Sequence, residues 1–132
     1  MIALVRDVPP DDGVDELVAA ARQARINMRA AHTILRSLSK RPQSEAGLRL
    51  QADARSDFQV MIERRALAKQ RLFDRLYELI ESGQATFESA SARCQLDADE
   101  DAEFKAGMPA WRVRTGRSVY SRRYTDPGGQ YA

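Results

Sequence analysis

The acidic run Asp97-Ala98-Asp99-Glu100-Asp101 sets carboxylates at alternating positions, as an EF-hand loop does to offer calcium its ligands 1, 3 and 5. That loop also needs glycine at position 6 for its sharp bend and a bidentate glutamate at position 12, where this chain has Ala102 and Met108. The mismatch rejects an EF-hand and leaves a solvated acidic linker or the start of a helix. His32 is the only histidine and Cys94 the only cysteine, so there is no Cys/His set for zinc and no disulfide within the chain. No Ser or Cys nucleophile stands at a recognised motif spacing from His32, which reads as a packing or surface residue. Arg93 beside Cys94 favours a thiolate, but a small buried residue on a helix face is the commoner role for such a cysteine. Asp53 and Asp57 lie one turn apart among basic neighbours and belong to an ordinary charged face. Gly107 and Gly116 stand alone, and Gly128-Gly129 precedes no helix, so no phosphate-binding loop is present. The expectation is a chain that is not an enzyme and that uses neither metal nor cofactor.

Chemistry of recognition is better represented. Residues 110 to 132 carry Arg112, Arg114, Arg117, Arg122 and Arg123 against the single acid Asp126, interleaved with Trp111, Tyr120 and Tyr124. Guanidinium forks and aromatic planes are what nucleic-acid binding uses, and they are equally the enriched anchors of protein interfaces. Arginine outnumbers lysine 18 to 3 over the whole chain, which dilutes the meaning of its dominance here. With 21 basic against 19 acidic residues, the chain lacks the basic excess usual for a nucleic-acid binder, so a protein partner is favoured and nucleic acid is the alternative.

The elements that must position these residues are set by periodicity. Residues 1 to 13 read as an arm, closed by Pro9-Pro10-Asp11-Asp12-Gly13 with helix N-cap chemistry at its end. Val14, Leu17, Ala21, Ala24, Met28, Ala31, Leu35 and Leu38 then recur at intervals of three and four, which is a heptad seam. Pro42 breaks it, and Ser44 can cap a second helix, whose seam runs through Ala54, Phe58, Met61, Arg65, Ala68, Leu72, Leu76 and Leu79 to a stop at Gly83. A short turn makes the two helices antiparallel, and folding at Pro42 sets Ala24 opposite Phe58 and Arg65 near Leu17, within reach of Asp15 or Glu16. The second helix is the longer, and its overhang carries Phe73, Tyr77 and Ile80 on a second apolar stripe that a two-helix hairpin leaves exposed. The N-terminal arm, a weaker helix over 85 to 95 bearing Phe87, Ala90 and Cys94, or a second subunit must cover it. In a monomer, the same stripe would bind a partner's helix.

Past residue 96 the charge segregates. Residues 97 to 105 hold five acids against Lys105, and the Arg-rich stretch comes after Gly107-Met108-Pro109. Trp111-Arg112-Val113-Arg114 and Arg117-Ser118-Val119-Tyr120 alternate apolar and basic residues around Thr115-Gly116, the pattern of a β-hairpin. The expected fold is mainly α: a long antiparallel helical hairpin over 14–96 with a short third helix, an acidic linker over 97–109, and an extended C-terminal arm over 110–132 containing that hairpin.

One chain of 132 residues suits a single domain, and with 30% charged and 43% apolar residues it has the balance of a folded protein. No apolar run approaches the ~20 residues that span a bilayer, and Met1-Ile2-Ala3-Leu4-Val5 is too short for a signal-peptide core, so a cytoplasmic location without membrane attachment is expected. In layout from Val14 to Ala132, a helical bundle followed by an extended arm, the chain resembles the head-to-tail connector and adaptor proteins that sit between portal and tail in tailed bacteriophages. The resemblance rests on architecture and carries no motif, so it assigns no residue. It implies a structural subunit that forms a homo-oligomer or docks on a larger assembly such as a portal, inside a virion. Phe73, Tyr77, Ile80, Trp111, Arg112, Arg114, Arg117, Tyr120, Arg122, Arg123 and Tyr124 are the residues expected to meet a protein partner, with no small-molecule substrate.

Overall fold

A computed structural model describes residues 12–41 and 44–117. They form four helices: α1 (Val14–Ser39), α2 (Glu45–Glu81), α3 (Phe87–Cys94) and α4 (Ala98–Arg114), with no strand among the described residues. The chain divides into two compact units, one ending at Leu72 and the other beginning at Phe73, within the continuous helix α2.

In the first unit, α1 starts behind Gly13, whose φ of 79° is in the left-handed region, while Asp12 Oδ1 accepts a bond from Val14 N at 3.1 Å. Asp15 and Glu16 in the first turn oppose the positive end of the helix dipole. At the start of α2, Ser44 Oγ accepts from Gly47 N at 3.0 Å, the cap its sequence position suggests. Every seam residue of α1 is buried or half-buried, and so is every α2 seam residue from Ala54 to Leu72, while their neighbours are mostly exposed. The register differs from the sequence reading. Phe58 meets the ring of His32 with centroids 5.0 Å apart, two turns along α1 from Ala24, and Gln51 Nε2 donates to Ser39 Oγ at 3.0 Å. The reason is that the seam of α2 starts earlier than its apolar residues suggest, with the polar Gln51, which is buried. This shift also carries Arg65 away from the start of α1: it is half-buried, and no ion pair joins it to Glu16 among the described residues.

The second unit is where the overhang finds its cover. Residues 73–81 of α2 end in a Schellman motif around Gly83, with Gln84 N donating to Leu79 O at 2.8 Å and Gly83 N to Ile80 O at 3.1 Å. A capping box of Thr86 and Ser89 opens α3, and a second one opens α4: Asp97 Oδ1 accepts from Glu100 N at 2.8 Å, and Glu100 Oε1 accepts from Asp97 N at 3.1 Å. The stretch expected as an acidic linker is therefore a helix N-terminus. Its Asp99, Glu100 and Asp101 sit in the first turn, where the dipole favours negative charge, and Arg112 and Arg114 in the last turn, where it favours positive charge.

The β-hairpin expected at Trp111 to Tyr120 is not supported. Residues 111–114 are the last turn of α4, and Thr115-Gly116 terminates it, Gly116 having a φ of 77°. The rest of that hairpin and the arm beyond it, including Tyr120, Arg122, Arg123 and Tyr124, lie outside the described residues. Helix wins over strand because Phe104, Met108 and Trp111 recur at four and three, giving α4 one stripe that is almost wholly buried. Pro109 is tolerated inside the helix because it faces solvent, as does Lys105, the residue whose carbonyl its missing N–H would have satisfied.

Candidate functional site

Two surfaces were expected to bind a partner: the overhang of α2 and the Arg/aromatic stretch. The structure brings their described residues together inside the second unit. Phe104 is the hub, its ring 5.0 Å from Phe73, 5.1 Å from Tyr77 in a parallel stack and 5.5 Å from Phe87 edge-on. Trp111 closes the cluster 5.6 Å from Tyr77. Phe73, Tyr77 and Trp111 are thus buried core side chains in this conformation, and Ile80 beside them is half-buried.

The Tyr77 hydroxyl is the polar member of this core. It donates to the Phe104 carbonyl at 2.6 Å. Burial, with the Asp74 and Glu103 carboxylates adding to it, pushes its pKa up to about 12. Gly107 lies against it, because a Cβ there would stand 2.5 Å from the hydroxyl oxygen.

Around this core the arginines are engaged. Arg112 reaches Glu81 at 3.2 Å, with about a fifth of each side chain exposed. Arg114 forks onto Asp74, with nitrogen–oxygen distances of 3.1 and 3.3 Å. Burial still holds the Asp74 carboxyl above its ordinary range, outweighing the nearby guanidinium. Arg117 lies over the Trp111 ring at 5.3 Å from its centroid, a cation–π contact. These three arginines pin α4 to the end of α2 and to its own C-terminus, and a phosphate ligand would have to compete with those partners.

The surface the sequence reading missed is in the first unit. A groove between α1 and α2 is lined by Asn27, Ala30, Ala31 and Ile34 on one side and Ala54, Asp57 and Met61 on the other. Ile34 is 57% exposed there, and the outer faces of the hairpin also expose Ile26, Leu48, Leu50, Val60 and Leu67. The signal was available, since these large apolar residues fall outside both heptad seams. Among the described residues, no group of three or more His, Cys, Asp or Glu side chains is placed to hold a metal ion, and Cys94 is a buried thiol. No helix among them is long and apolar enough to cross a membrane. No protein-family model, curated protein or solved structure matches this chain.

Proposed function

We propose that this protein is a non-enzymatic assembly subunit whose helical hairpin is completed by a second copy of the chain. One observation carries the proposal: the two units bury apolar side chains very unequally. Among the described residues, the second unit buries nine in 45 residues, from Phe73 to Trp111, whereas the hairpin buries only Val14, Ala54 and Leu72. Phe58 and Met61, two large apolar seam residues of the hairpin's α2, remain half-buried. Two helices form a single layer, and a stable fold needs a second one. Alanines at 30, 31 and 54 let another helix approach closely, and Ile34 and Met61 supply apolar area at its edges, so two hairpins facing one another make a four-helix bundle.

A phage connector is one form such a subunit would take, assembled in the cytoplasm and carried in the virion; a larger host assembly such as a portal would be its second partner. The test is Ile34→Asp combined with Met61→Glu. Sedimentation velocity is expected to show an oligomer for the wild type and a monomer of unchanged helix content for the variant. A wild-type monomer, or a variant that associates as the wild type does, contradicts the proposal.

A further inference from the structure

The hairpin has a second flank, and its chemistry is different. Between Glu16 and Glu45 the chain contains no acidic residue but six basic ones, in a protein whose charges nearly balance overall. Arg22, Arg25, Arg29, Arg36 and Lys40 succeed one another at helical intervals with His32 among them, so they form one stripe along α1, about 27 Å long at 1.5 Å per residue. The contact of His32 with Phe58 places this stripe on the α2 flank bearing Phe58. Arg55 and Lys69 fall on that same flank at helical spacing from Phe58, while the carboxylate of Asp57 lines the groove on the opposite flank. Among the described residues, no ion pair engages Arg25, Arg29, Arg36, Lys40 or Arg55, and apart from the half-buried Arg25 these side chains are exposed.

A charged face on a helix is ordinarily of mixed sign. Leaving one basic over five turns raises the free energy of the lone subunit by repulsion, and it is relieved by a partner with dense, regularly spaced negative charge. We propose that the His32-bearing flank of the hairpin binds the phosphate backbone of nucleic acid without regard to sequence. Duplex DNA presents one charge per roughly 1.7 Å of axis, so a 27 Å stripe faces more phosphates than it has cations, and each ion pair formed releases a condensed counterion. Arginine suits this role because its fork takes two phosphate oxygens. The site is distinct from the C-terminal arginines, three of which are held by Glu81, Asp74 and Trp111. It also does not overlap the groove, whose Ile34 and Asp57 lie on the opposite flank.

The experiment is fluorescence anisotropy of a labelled 20-base-pair duplex of arbitrary sequence, titrated with the full chain between 50 and 200 mM NaCl. Four to five phosphate contacts predict a loss of affinity of about 10²-fold or more over that range. The variant Arg25→Gln/Arg29→Gln/Arg36→Gln/Lys40→Gln, with helix content verified by circular dichroism, is expected to lose about 10²-fold at 50 mM and to lower the salt slope by about four. Arg64→Gln/Arg71→Gln, seven and fourteen residues beyond the groove-lining Asp57, is expected to bind as the wild type does. The proposal is overturned if the wild type does not bind at 50 mM, if the fourfold variant binds equally, or if the loss instead tracks Arg122→Ala/Arg123→Ala. Poly-glutamate that competes on equal terms at equal charge assigns the stripe to an acidic protein surface and overturns it too.

Discussion

Tyr77 and Gly107 form a matched pair in which each residue explains the other. Glycine inside a helix costs about 1 kcal/mol relative to alanine on propensity alone, so Gly107→Ala should stabilise α4 if nothing else were near. The hydroxyl 2.5 Å from the new Cβ reverses that sign, because its ring is stacked on Phe104 and the oxygen is bonded to the Phe104 carbonyl, so it has nowhere to yield. Gly107→Ala is expected to destabilise by about 1–3 kcal/mol in urea unfolding, as overpacking does. Tyr77→Phe alone should cost about 1 kcal/mol for the lost bond, and in that background Gly107→Ala should become close to neutral. Additive effects in the double variant would refute the pairing.

The phenol also gives a pH signature. Its folded pKa of about 12 lies above the unfolded value near 10, so the fold holds the proton more tightly. The associated stability is complete below pH ~10 and is lost as pH rises from there through about 12. Tyrosinate absorbance of this four-tyrosine chain should therefore contain one late step that Tyr77→Phe removes. A wild-type titration complete by pH ~11 would contradict the buried phenol.

At the scale of elements, α4 decides the second unit, and it is the element the sequence hides best. Its parts were each visible: Asp97 with Glu100 three residues later, the acid-first and base-last order, and the Phe104, Met108, Trp111 spacing. Two local features concealed their unity. Gly107-Met108-Pro109 reads as a boundary, whereas the glycine answers to Tyr77, 30 residues away, and the proline to solvent. Trp111-Arg112-Val113-Arg114 reads as strand alternation, yet Val113 is 71% exposed and only Trp111 faces the core. What decides such cases is tertiary, because the apolar overhang of α2 required a cover and α4 was the segment able to bury Phe104 and Trp111 against it. By contrast, α1 and α2 were legible, since heptads with unmistakable breaks at Pro42 and Gly83 leave few alternatives; only their register, set by a polar residue at position 51, was not. Replacing Asp97 by Ala should cost about 1 kcal/mol through loss of the cap on α4. Trp111→Ala should cost about 3–5 kcal/mol through the cavity it leaves, both read by thermal or urea melts; a surface-like change of under 0.5 kcal/mol at either site would contradict the helix assignment.

For the whole molecule, charge and burial together set the division of labour. Residues 12–72 carry 12 basic against 7 acidic side chains, and residues 73–117 carry 6 against 9, so the unit with the thin core is also the basic one. Among the described residues the first unit buries three apolar side chains and exposes six large ones, the surface the proposed second copy would cover, while the second unit packs around its own aromatic cluster. The hairpin thus presents two chemically different flanks, one apolar and alanine-lined, the other basic, with a partner proposed for each. The connector likeness is compatible with such a subunit but rests on layout alone.

Self-association is tested by the mass of the wild-type protein from light scattering after size-exclusion chromatography, at 50 mM and 500 mM NaCl, with absorbance at 260 and 280 nm recorded together. The expected result is a discrete multiple of 14.8 kDa that survives high salt, as apolar groove contacts would, with any nucleic acid shed as salt rises. A mass of one chain at every concentration and both salts would contradict it.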